Sequence, residues 1–326
     1  MRRLTSGQDI DRERGAIAVM VAILMVVLLG SAALAVDFGR IATERGQLQN
    51  GADAAALAVA DACANKTTSN TCSPNAPNTA STYARANTND ATGVAAPPTI
   101  DLSAGTVTVN TTTGSGSLPM TFARVIGIDA VPVNATATAT WFYPTSGRSV
   151  LPLAFSTCEF IDDGKPHKIL TQGGSKGAQD CNGRTPSNQI LPGGMAWLAP
   201  TSSSGCIIDA TVGQYYPGSQ GASIPNNACK GVFVSSLLNQ VVALPVYNDW
   251  NGVTGNGAAF MIQKWAGFRI EGWSFPSNQL GTWPAPTNNN GIYGTFLGYS
   301  GDPSYFTGGT TDPSHEGNLY VVKLTK

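Results

Sequence analysis

Charge is what this sequence has least of. Lys, Arg, Asp and Glu together make up 12% of its 326 residues, about half the share usual in a soluble domain. The polar surface must then come from Thr, Ser, Asn, Gln and Gly, which suits an exported chain better than a cytosolic enzyme. The formal net charge is −1, and no run of like charge stands out, so nothing points to nucleic acid or to a strongly charged partner. Only two histidines are present, and no two cysteines have C-x-x-C spacing, so no metal site is expected. There is no H-E-x-x-H, no P-loop and no S-D-N element. His167, in DDGKPHK, and His315, in DPSHEG, have acids nearby but read as solvated loop residues. Asp162-Asp163-Gly164 falls well short of a calcium loop and reads as a turn. The expectation is a chain that is not an enzyme, with no cofactor and no small-molecule substrate.

What is present begins with one long apolar run. Ala16–Val36 holds 21 residues without a charge. At about 1.5 Å per residue this spans the ~30 Å hydrocarbon core of a bilayer. Arg2, Arg3, Arg12 and Arg14 precede the run, and Arg40 and Arg45 follow it. The positive-inside rule makes residues 1–15 a cytoplasmic leader and 16–36 a single membrane-spanning helix, with the bulk of the chain extracytoplasmic. Ala33-Leu34-Ala35 offers a rival fate, because it fits an A-x-A signal-peptidase site.

Helical patterning continues past the run. Ile41, Leu48, Ala52, Ala55, Val59 and Ala62 follow a three–four spacing, a narrow and largely alanine stripe. Such a stripe packs either on helices of partner proteins or on the chain's own domain. Residues 64–98 then turn rich in Asn, Thr, Pro and Ala, with a short helix expected over Ala80–Ala86. From Thr99 the period becomes two, at Thr106–Val109 and again at Val133–Thr140. Between them, MTFARVIGI reads as one or two helical turns with Phe122, Val125 and Ile126 apolar. Residues 37–143 are thus expected to form a small α+β region, and Pro144–Ser149 reads as a linker.

Residues 150–326 read as a β-rich domain with short strands and Gly/Pro-rich turns. Strands are expected at Val150–Phe155, Gly231–Val234, Val241–Tyr247, Ala258–Trp265, Gly267–Phe275 and Leu319–Leu324. Trp250, Trp265, Trp273 and Trp283 form either its core or an exposed binding platform. Around Trp273 the inward face is ambiguous, because Phe268 and Ile270 share one parity while Trp273 and Phe275 share the other. The six cysteines favour disulfides in an exported chain. The sequence-local set Cys63–Cys72, Cys158–Cys181 and Cys206–Cys229 is the expected pairing. The fold class is therefore α+β: a transmembrane helix running into a long exported helix, a small α+β unit, and a β-rich disulfide-bonded C-terminal domain.

The N-terminal segment also carries specific motifs. Val36-Asp37-Phe38-Gly39-Arg40 is a V-D-x-G-R element. Gln47 to Ala58 is a Q-x-Q-N-x-A-D-A-A-A-L-A element, with Gln47, Gln49, Asn50, Ala52, Asp53, Ala54, Ala55 and Ala56 as its distinctive positions. Together with the basic leader and apolar run these resemble TadG-like Flp (tight adherence) pilus-assembly proteins. The later strings NATATATW, LPLAFSTCEF, LPGGMAWL, VALPVYND and AGFRIEGWSF look like actinobacterial members. The resemblance implies a structural or assembly role at the cell surface, with partners among other pilus or Tad-system proteins through the Ala-rich helix. Prepilin-type processing after Gly15 is not expected, because Met20 stands where pilin-like substrates usually carry Glu. Asp101-Leu102-Ser103 only half matches the von Willebrand A metal motif of longer members, and reads as a turn. The alternative function is an anchored extracellular binding module or adhesin using the β-rich domain.

Overall fold

The computed structural model describes residues 9–64, 74–172, 178–312 and 318–325. Helix α1, Asp9–Ala64, makes one element of the apolar run and the alanine stripe. It contains no proline, so nothing breaks the backbone ladder. Among the described residues it is the one helix long and apolar enough to cross a membrane. The architecture is α+β, and the described residues divide into two compact units. The first takes the chain up to Ala56 with Asn75–Pro98 and Thr108–Ala137, and the second takes the rest.

In the first unit, helix α2 (Ala76–Ala86) buries Ala76, Ala80 and Ala84 on one face. Strand β1 (Val94–Ala95) and, from Thr108 onward, strand β3 (Thr106–Thr112) come next, whereas β2 (Thr99–Asp101) belongs to the second unit. The pairs Val94↔Thr112 and Ala95↔Thr111 join β1 to β3 antiparallel. A small ribbon of β4 (Leu118–Pro119) and β5 (Ala130–Val131) encloses a 3-10 turn over Ala123–Ile126. Strand β6, Asn134–Ser149, lies beside β3. The small core here is Leu48 of α1 with Val133 and Ala135.

Pro144–Ser149, read from sequence as a linker, is the end of β6. Its Pro, Gly, Thr and Ser content imitates a loop. The segment is nevertheless held in the sheet by neighbours on either side, Ile208↔Ser149 and Phe306↔Gly147 among them. Gly147 is needed there, because a Cβ would lie 2.3 Å from the Phe306 ring.

The second unit continues with β7 (Leu153–Ser156), β8 (Pro166–Leu170), β9 (Met195–Leu198), β10 (Ile208–Thr211) and β11 (Tyr215–Ser219). After helix α3 (Asn227–Val232) come β12 (Val241–Trp250), β13 (Ala259–Phe275) and β14 (Asn278–Gly281). The last strands are β15 (Gly291–Phe296), β16 (Tyr299–Ser300), β17 (Phe306–Thr310) and β18 (Leu319–Leu324). One sheet here runs β11-β9-β7-β12-β13-β15-β8, with β14 on β13. In the other, β6 from Ala139 onward receives β18, β17 and β10.

The central strand β13 fuses the two expected strands Ala258–Trp265 and Gly267–Phe275. It carries two extra residues, between Ile262 and Lys264 and between Ile270 and Gly272, and its neighbour β12 carries one, between Tyr247 and Asp249. Each extra residue swaps the faces of the residues beyond it. The second of those in β13 resolves the parity conflict: Phe268, Ile270, Trp273 and Phe275 all enter one core, with Phe155, Trp197 and Phe233. The first lets Trp265 join Phe260 and Ile262 in a separate core against Ile208, Phe306 and Val321.

The expected strand at Gly231–Val234 is not formed: Gly231 and Val232 end α3, and Phe233 and Val234 lead into a 3-10 turn over Ser235–Leu237. Asn226 caps that helix, its side chain accepting from the Cys229 N–H at 2.8 Å and donating to the Gly205 carbonyl at 2.9 Å. The disulfide Cys206–Cys229 fixes the same corner, and Cys158–Cys181 is also formed. Cys63 is disulfide-bonded. Cys72, its expected partner, lies outside the described residues.

Candidate functional site

The motif residues of α1 converge on the first unit. Asp37 is buried, with 3% of its surface exposed. One carboxylate oxygen accepts the Thr121 N–H at 3.0 Å, and the other accepts those of Phe122 and Ala123 at 2.9 and 2.7 Å. These are the orphan donors at the start of the turn Ala123–Ile126, so Asp37 caps it from a distant part of the chain. Burial by itself would push the Asp37 carboxyl up. The three N–H donors, helped by the Arg40 charge, outweigh it and hold the group below its ordinary 3.8. Arg40 also donates to the Thr121 hydroxyl.

Further along α1, Gln47 accepts the Asn89 N–H at 3.0 Å. Gln49 donates to Asp53 at 2.8 Å and to the Thr136 carbonyl at 3.3 Å. The buried Thr111 hydroxyl donates to the Leu48 carbonyl at 2.9 Å. Gly51 lies against α2, where a Cβ would meet the Ala84 Cα at 3.1 Å. Ala52, Ala55 and Ala56 are fully buried and Ala54 half-buried. Asn50 and Gly39 are exposed.

Of the two uses expected of the alanine stripe, this placement favours packing on the chain's own domain over packing on partner helices. The alanine face of α1 is occupied within the chain's own fold, so it is not a free surface for partner helices. The physical reason is size: alanine and Gly51 allow α2 and the strand backbones to approach closely. The hydrogen bonds of Gln47, Gln49 and Thr111 were not legible in sequence, because each joins α1 to a backbone or side chain far away in the chain. A buried threonine in an alternating strand was the one available signal.

The apolar half of α1 behaves differently. From Ile17 to Val36 its large side chains are exposed on every face, Leu29 at 69% and Val26 at 71%. Near its end, Leu29–Val36 and Phe122, Val125 and Ile126 line an apolar groove of about 600 Å³.

The remaining candidates lie in several places in the fold. Asp101 accepts from Ser103 and Ala104 in a tight turn. Asp163 accepts from the Lys165 N–H and contacts the His167 ring at 2.8 Å. Trp265 and Trp273 are fully buried, Trp283 is 9% exposed, and Trp250 donates to the Ile190 carbonyl at 2.9 Å. His315 lies outside the described residues. Among the described residues no group of three His, Cys, Asp or Glu could hold a metal ion.

Helix α1 thus joins an exposed apolar half to a half held against a small α+β unit by Asp37, Gln47, Gln49 and Gly51. Residues 15–62, nearly the whole of that helix, match the family model "Putative Flp pilus-assembly TadE/G-like". The chain thus carries a TadE/G-like pilus-assembly segment, and the role it supports is one related to pilus assembly. No curated protein and no solved structure matches the chain.

Proposed function

We propose that this chain is a single-pass, membrane-anchored component of a Flp/Tad-type pilus system with a structural or assembly role at the cell surface, and not an enzyme. The observation that carries the reading is the coincidence of the matched segment with a helix whose first half is apolar and exposed all round. A helix of that kind belongs in lipid. The arginines before Ala16 favour a cytoplasmic N-terminus, with the chain after Val36 outside. Other pilus-system proteins are its partners, through surfaces other than the alanine face of α1.

The test is carbonate extraction and protease protection on cells making the full chain, alongside surface-pilus counts in a deletion strain. The reading expects the chain to stay in the membrane pellet, the part after Val36 to be digested from outside, and pili to be lost on deletion. Release by carbonate, or unchanged pili, overturns it.

A second reading, an anchored binding module, has one feature in its favour. A shallow cleft of about 300 Å³ in the second unit is lined by Ser187, Gln189, Tyr215, Trp250, Asn251 and Ala259. It joins aromatic faces to amide groups, a lining suited to a sugar. Glycan-array binding by the full chain that Tyr215→Ala and Trp250→Ala abolish would favour it. No binding removes it.

A further inference from the structure

We propose that the loop Met120–Ile128 dips into the membrane leaflet next to the first unit, so that lipid acyl chains occupy the groove between it and α1. This rests on the proposed membrane anchoring of Ala16–Val36.

Val125 is 89% exposed, the highest value among the exposed large apolar side chains of the described residues, and Ile126 is 67% exposed. The loop that presents them is firmly built. Asp37 binds its first three N–H groups, and Met120 and Ala123 are buried beneath it. The turn closes with the Ile128 N–H donating to the Ala123 carbonyl at 3.1 Å, and Gly127 takes the left-handed φ of 90° that this needs. A loop ordered this tightly, with its apolar side chains directed outward, is presented to an apolar medium.

The other wall of the groove identifies that medium. Leu29, Ala32, Ala33, Leu34 and Val36 belong to the uncharged run itself. Leu29–Val36 covers about 12 Å of helix axis, so the loop lies alongside the last third of a ~30 Å span. Interfacial apolar segments bury to about that depth.

The charges lie where headgroups would be. Arg40 stands just beyond the run and is bonded to Thr121. Arg124 and Asp129, both exposed, pair at 3.5 Å at the edge of the loop. Arginines suit the anionic headgroup level. A second copy of the chain could cover the same face, but the groove is continuous with the lipid-exposed helix, which favours lipid.

The test uses the full chain with a single added cysteine carrying an environment-sensitive fluorophore, reconstituted in phosphatidylcholine–phosphatidylglycerol vesicles. The sites are Val125→Cys, Met25→Cys within the span, and the exposed Asn50→Cys, about 21 Å along α1 from Val36. The proposal expects the Val125 label to be blue-shifted, quenched by shallow nitroxide lipids, and several-fold less quenched by aqueous iodide than the Asn50 label. An iodide-accessible Val125 label beside a lipid-quenched Met25 label overturns the loop proposal and leaves the anchor standing. A blue-shifted Val125 label that lipid nitroxides do not quench points to a second copy and also overturns it. A Met25 label without lipid quenching removes the anchoring, and the loop proposal with it.

Discussion

Asp37 shows how one side chain can organise a distant segment. Its folded-state acidity lies below the ordinary carboxylate value. A lowered group stabilises the fold fully above its unfolded value, and the contribution is lost as pH falls through the folded value. Amide exchange at Thr121–Ala123 is therefore expected to stay slow down to about pH 4 and to quicken in more strongly acidic buffer. Asp37→Asn should show fast exchange there at every pH, because a neutral amide is a weaker acceptor for three N–H groups.

The glycines of α1 separate in the same way. Nothing lies within 4 Å of a Cβ built on Gly39, whereas one on Gly51 meets α2. Gly39→Ala should stabilise the chain by about 0.5–1 kcal/mol, and Gly51→Leu should destabilise it by about 1–3 kcal/mol. Denaturant titration in detergent micelles reads both.

Among the elements, helices were the most legible, because their signals are local. The apolar run, the three–four alanine stripe and the Ala80–Ala86 segment all lie within observed helices. Strand limits were less legible. Pro144–Ser149 looked like a loop, and only its neighbours in the sheet make it strand. The tryptophan parity could not be resolved because a bulge is set by pairing with β12 and β15, not by the residues of β13 alone. Gly231–Val234 has strand-like residues, but a cap and a crosslink upstream put Gly231 and Val232 at the end of α3 instead.

That crosslink offers a check on the same scale. Cys206 and Cys229 are separated by 23 positions. Closing a loop of that size stabilises by about 3 kcal/mol in the chain-entropy view. The double variant Cys206→Ala, Cys229→Ala should lose about that much in chemical denaturation, with the largest exchange increase at Asn227–Val232.

For the whole molecule, the anchor reading makes a claim about processing. Ala33-Leu34-Ala35 sits inside an unbroken helix, two residues before the buried Asp37. The apolar run is also longer than the 7–15 or so residues of a signal-peptide core. Intact-mass measurement of the protein from cells is expected to find a chain beginning before Ala16. A mature chain starting at Val36 would mean release from the membrane.

Sequence by itself carried the likeness of residues 15–62 to the TadE/G-like family model. A 21-residue uncharged run, a V-D-x-G-R element and an alanine-rich helix are local patterns, and local patterns survive without tertiary context. Six cysteines leave fifteen pairings open to the sequence, and the structure forms the expected Cys158–Cys181 and Cys206–Cys229 bonds. Only the tertiary structure decided what those motifs do. It turned the alanine face inward, made Asp37 the cap of a loop more than 80 residues away, and set Phe122, Val125 and Ile126 beside the end of the apolar run. The reason is that burial and backbone capping are satisfied between segments far apart in the chain, and no periodicity within one segment records its distant partner.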